Sequence, residues 1–194
     1  MRVLLLSPYP ETIEAIIAGT GDAVTSVDTP ITGTAPDPDS FDLAVSYGYR
    51  HIIRDEALAR WEGRLINLHI SLLPWNRGAD PNFWAAVDGT PAGVSIHHID
   101  AGVDTGDLIA QREVPFAPGD TLASSYTRLH AEILDLFAMV WPAIRNGTAP
   151  RIAQTGPGSS HRSADKEPLM ARLPQGWDTP VSDVARLVRE EENA

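Results

Sequence analysis

Cysteine is absent from this chain of 194 residues. Disulfides, thiolate nucleophiles and cysteine-based metal centres are therefore excluded. Lysine occurs once, at Lys166, and 15 basic residues stand against 26 acidic ones, for a formal net charge of −11. The basic residues form no cluster, so nucleic acid is not an expected partner. Long apolar runs are missing too. The first, Val3-Leu4-Leu5-Leu6, runs straight into Ser7-Pro8-Tyr9-Pro10. It is too short for a signal-peptide core or a membrane span. A cytoplasmic location with no membrane partner is the expectation.

What remains has the composition of an ordinary globular chain, long enough for one domain with a sizeable core. Residues 3–6 read as a strand covered on both faces. Residues 11–18 have helical spacing in Ile13, Ile16 and Ile17 and end at Gly19. Strands are expected at 23–27, 42–46 and 64–69, with a loop at 29–40 and a helix at 54–60. A short helix at 81–87 precedes strands at 93–99 and 108–114. The longest helix should cover 121–144, capped by Asp120, with an apolar stripe from Leu122 through Tyr126 and Leu129 to Trp141. Residues 149–176, rich in Pro, Gly and Ser, read as mostly loop. Thr179-Pro180 should open a last helix. This alternation predicts an α/β fold, an open and mostly parallel sheet with helices on both faces.

In such sheets ligands bind outside the carboxyl ends of the strands. Ser46-Tyr47-Gly48, Asn67 with His69, and Ile99-Asp100 all fall at such ends. No glycine-rich dinucleotide or phosphate fingerprint follows the first strand. Asn67 and His69 are two apart on one strand, so their side chains share a face. With Asp104 they form a set suited to acyl transfer. An asparagine amide can donate to a developing oxyanion. An imidazole can shuttle a proton near neutral pH, and a carboxylate can orient it. Taken singly, each of these residues is also an ordinary turn former or hydrogen-bonding partner.

The surrounding motifs resemble those of the formyltetrahydrofolate-dependent formyltransferases. They are Asn67-x-His69, Ser71-Leu72-Leu73-Pro74 with Gly78, Gly93-Val94-Ser95-Ile96-His97, and Asp100-x-Gly102-x-Asp104-Thr105-Gly106-Asp107. The resemblance implies a Rossmann-like catalytic domain, here residues 1–148, with a C-terminal loop and helix, 149–194, packed on it. It implies that Asn67, His69 and Asp104 are the catalytic trio and that N10-formyltetrahydrofolate is the co-substrate, without a metal. The folate pocket would comprise Gly48, Tyr49, Arg50, His51, Ile52, Ile53, Ile99, Asp100 and Gly102. Ser71, Trp75, Arg77 and Gly78 would contact the acceptor.

The departures narrow the reading. The phosphate loop of glycinamide ribonucleotide enzymes is replaced by Ser7-Pro8-Tyr9-Pro10. No counterpart of the tRNA-gripping domain of methionyl-tRNA enzymes is expected. The stretch from Leu73 to Trp84 resembles compact sugar N-formyltransferases and, more closely, the formylation domain of linear gramicidin synthetase, and the segment from Gln154 to Arg162 resembles the region after the last long helix in those proteins. The expected acceptor is a primary amine on a small molecule, an amino sugar nucleotide or amino acid, or on a carrier-bound aminoacyl group. A homodimer is compatible with this reading. Formyltetrahydrofolate hydrolysis and a non-catalytic folate- or carrier-binding module stand as alternatives.

Several other residues carry two readings. Trp75 could contact substrate or pack. At most one of His97 and His98 can face the active edge, because they alternate across a strand. Arg162 and Lys166 could meet an anionic group or lie in a solvated loop. The spacing of Asp100, Asp104 and Asp107 does not match a calcium loop.

Overall fold

In the computed structural model, residues 1–190 are described. The elements follow as β1 (Arg2–Leu6), α1 (Pro10–Ala18), β2 (Ala23–Val27), β3 (Leu43–Tyr47), α2 (Asp55–Trp61), β4 (Leu65–His69) and β5 (Arg77–Gly78). Then come α3 (Pro81–Asp88), β6 (Gly93–His98), β7 (Leu108–Glu113), α4 (Leu122–Arg145), β8 (Ser160–His161), α5 (Ser163–Met170) and α6 (Val181–Glu190). Six strands form one sheet in the order β2-β1-β3-β4-β6-β7, and β5 pairs with β8 separately. The β1–β2, β1–β3 and β3–β4 pairs are parallel. The expected α/β architecture is therefore present.

Packing divides the chain into two compact units. The first contains Met1–His69, Ile96–Ala110 and Leu134–Gln154; the second contains Ile70–Ser95, Gln111–Ile133 and the chain from Thr155 onward. Residues 191–194, the end of the expected C-terminal segment, lie outside the described residues.

In the first unit, the continuous apolar runs of β1 and β3 are buried on both faces, as strands covered by helices must be. Leu4, Leu6, Ala44, Ala57, Trp61 and Leu65 form one core cluster. The register sets Leu6, Ser46 and Asn67 abreast at the carboxyl edge of the sheet. From α4, Trp141 is fully buried and its indole N–H donates to Thr20 Oγ1 at 3.0 Å.

In the second unit, Phe83, Trp84, Leu122, Leu173, Val184 and Val188 make the core. Expectations about these elements are corrected or refined here. The cap of α4 is Thr121 rather than Asp120. Thr121 Oγ1 accepts from the Ser124 amide at 3.1 Å, while Ser124 Oγ accepts from the Thr121 amide at 3.0 Å, a reciprocal box that satisfies two orphan donors. Asp120 instead binds Arg128 at 2.6 Å and the Ala117 amide. The stretch 149–176 is mostly loop as expected, but it also holds a helix at Ser163–Met170 that the spacing does not predict. Its Leu169 and Met170 pack on the core, and that burial outweighs the hydrogen bond lost at Pro168. Lastly, Thr179 does not cap α6 through its hydroxyl, which is buried without a hydrogen-bond partner. Tyr126, placed in the apolar stripe by spacing, is 42% exposed.

Candidate active site

Two residues of β4 and the loop after β6 supply the trio. Asn67 and His69 point to the same face of β4, since both reach Asp104. Asn67 Nδ2 donates to Asp104 Oδ1 at 3.3 Å. His69 Nε2 stands 3.7 Å from Asp104 Oδ2, an ion-pair distance when the imidazole is charged and too long for a hydrogen bond. The side chains of His69 and Asp104 are only 10% and 14% exposed, so their charges are weakly screened. Asp104 itself adopts a left-handed backbone, φ +51°, which Asp tolerates better than most residues.

His97 joins this group, and sequence reasoning left it undecided between His97 and His98. Its Nδ1 lies 2.7 Å from the His98 carbonyl oxygen, which can only accept. Nδ1 therefore carries the proton. Nε2 can then accept from Asn67 Nδ2 at 3.3 Å, and it also lies 3.4 Å from Asp104 Oδ1. In this assignment the two amide hydrogens of Asn67 are shared between His97 and Asp104. Both bonds are long, so an incoming carbonyl oxygen can displace either at small cost. Such looseness is common before substrate binds. His98, one residue on, faces away; burial first and then the nearby Arg151 charge lower its pKa.

The predicted folate residues divide by what they touch. Gly48 has φ +64° and lies against the Tyr9 ring. Arg50 reaches the Tyr9 hydroxyl at 3.5 Å. Tyr49 is committed to the scaffold: its hydroxyl donates to the Thr29 carbonyl at 2.7 Å and accepts from the Ile31 amide at 3.0 Å. His51 Nε2 lies 2.8 Å from the Asp28 carbonyl. Ile53 and Ile99 pack against the first unit's core. Ile52 is 82% exposed and Val103 58%, so two large apolar side chains stand open at the carboxyl edge. Asp100 Oδ1 accepts from the Gly102 amide and the Thr105 hydroxyl, closing a turn ahead of Asp104.

The predicted acceptor residues belong to the second unit. Ser71 is buried, and its Oγ has no hydrogen-bond partner. Trp75 is half-buried. Arg77 and Gly78 form β5, with the Arg77 amide donating to Ser159 O at 2.9 Å. Gly78 has φ +88°, and a side chain there would collide with the His161 carbonyl. Lys166 is not in a solvated loop: it lies on α5, with Nζ 2.7 Å from Asp80 Oδ1.

The sequence match decides the lineage. Residues 33–139 match the family model described as formyl transferase. The chain belongs to the formyl transferase family. It is 42% identical to the formyltransferase PseJ from Anoxybacillus kamchatkensis, with a TM-score of 0.90 over 95% of this chain and 97% of that one. That structure is a complex with UDP-4,6-dideoxy-4-formamido-L-AltNAc and tetrahydrofolate. A sugar N-formyltransferase from Shewanella sp FDAARGOS_354 shares the fold at 20% identity and a TM-score of 0.81, over 97% of this chain and 87% of that one. The methionyl-tRNA formyltransferase of Agathobacter rectalis is 34% identical over 149 residues, covering 76% of this chain and 47% of that protein. The chain spans about half the length of the curated relatives it matches.

Among the described residues, no group of three or more His, Asp or Glu side chains could hold a metal ion. No helix there is long and apolar enough to cross a membrane.

Proposed function

We propose that this chain is an N-formyltransferase that moves the formyl group of N10-formyltetrahydrofolate to the primary amine of an amino sugar nucleotide. The observation that carries this reading is the meeting of Asn67, His69 and Asp104 at the carboxyl edge of the sheet. The choice of acceptor rests on the near-complete overlap with PseJ, whose structure contains a formamido sugar nucleotide. A net charge of −11 argues against tRNA as the carrier of the amine.

The donor supplies an activated formyl carbon. Exposed Ile52 and Val103 offer apolar contact to its pterin, and the irregular backbone at 48–53 offers main-chain donors and acceptors. As the amine attacks, the formyl oxygen gains negative charge. Asn67 turns an amide N–H from Asp104 or His97 to that oxygen. His69, whose Nε2 faces Asp104, provides a second donor. Asp104 takes up the proton that the amine sheds and passes it on to the folate nitrogen as the bond to carbon breaks, which leaves the carboxylate free again. In this reading residues 1–148 form the catalytic portion, with 149–154 bound along its Asp104 loop.

The test is a mass-spectrometric screen with N10-formyltetrahydrofolate and, in turn, amino sugar nucleotides, amino acids and carrier-bound aminoacyl groups. The expected result is a product heavier by one CO from an amino sugar nucleotide alone. Formate release at the full rate without any amine would instead identify a hydrolase.

A further inference from the structure

Asp104 holds a backbone conformation that costs a non-glycine residue energy, φ +51°, so something beyond its own preference must fix it. The segment just after α4 does this. Ile152 and Leu108 exchange both backbone hydrogen bonds, at 3.0 and 2.7 Å. Arg151 pairs with Asp107 at 3.2 Å. Gln154 then sends its side-chain amide to two carbonyls of the loop at once, Asp104 O and Gly106 O, each at 2.8 Å. Gly106 is itself buried so tightly that a side chain would strike the His98 carbonyl. The Gln154 amide thus bridges the carbonyls on either side of Thr105. It fixes the peptide plane that leaves Asp104, and with it the direction of the carboxylate.

We propose that Gln154 is a positioning residue for formyl transfer, acting through Asp104 rather than on substrate. This rests on the reading of Asp104 as a member of the trio. A glutamine suits the task because its NH2 carries two donors, one for each carbonyl. Gln154→Glu keeps the shape but turns both contacts into repulsions; Gln154→Ala simply deletes them.

Steady-state kinetics on the intact chain test this, with thermal melting to show that each variant is folded. For Gln154→Ala and Gln154→Glu the expected outcome is a fall in kcat of about 10- to 100-fold, as a misplaced catalytic group produces. KM for donor and amine should change by less than about twofold. In an Asp104→Asn background, adding Gln154→Ala should cost little more, because both changes disable one device. Arg151→Ala, which removes only a solvent-exposed ion pair to Asp107 and leaves the Gln154 bridge in place, should change kcat by less than about twofold. Folded Gln154 variants with wild-type kcat, or an Arg151→Ala loss equal to that of Gln154→Ala, overturn the proposal. If Asp104→Asn itself keeps full activity, the reading of the trio fails instead, and the two failures are told apart.

Discussion

Asn67 is the residue whose removal should separate chemistry from folding most cleanly. Its side chain is partly exposed and, among the described residues, makes two long hydrogen bonds, so Asn67→Ala should remain folded. Its kcat should drop about 10²- to 10³-fold, the usual effect of losing one oxyanion donor. His97→Ala should cost roughly tenfold by letting the Asn67 amide turn, read as a fall in kcat with KM nearly unchanged. The meeting of Asn67, His69 and Asp104 was legible in the sequence because these residues combine the chemical types that acyl transfer would need with linked flanking motifs. His97 was not, because alternation says that His97 and His98 face opposite ways without saying which faces Asp104. Gln154 was hidden for another reason. A glutamine in a Pro- and Gly-rich tail carries no local signal, and its role exists only once the tail is laid along the Asp104 loop.

Most elements could be read from periodicity, and the errors lie at their ends. Asp120 and Thr121 are adjacent cap-forming types, and only the reciprocal bonds with Ser124 single out Thr121. Thr121→Ala should therefore destabilise the protein by about 1 kcal/mol, measured by urea denaturation. No loss would show that Asp120 serves as cap after all. The helix at Ser163–Met170 escaped notice because Pro168 sits inside it; its partly buried Leu169 and Met170 hold it by tertiary packing, which a propensity reading does not see. Fully buried Trp141, by contrast, followed directly from the stripe of α4.

Charge and burial together set how stability depends on pH. Burial lowers the pKa of His98 and of His130 from the ordinary 6.5. Both are held neutral in the fold and protonate more readily when unfolded. Their contribution is present above pH 6.5 and is lost as pH falls through the folded values. Asp22 adds a second, more acidic limb. Burial alone would raise its pKa, but hydrogen bonds from Arg145, the Met1 amine and Thr20 outweigh it and hold the carboxyl well below the usual range. Stability from Asp22 is thus lost only in strong acid. Chemical denaturation across pH should show both limbs, and His98→Gln/His130→Gln should flatten the first.

Passage of the formyl carbon to the amine is the step on which the proposed function turns. Single-turnover reactions with N10-formyltetrahydrofolate labelled isotopically in the formyl group address this directly. The label should appear in the amide of an amino sugar nucleotide, one per tetrahydrofolate released, with the rate about 10²- to 10³-fold lower in Asn67→Ala. Label released as formate irrespective of the amine, or a folded Asn67→Ala that transfers at the wild-type rate, would contradict it.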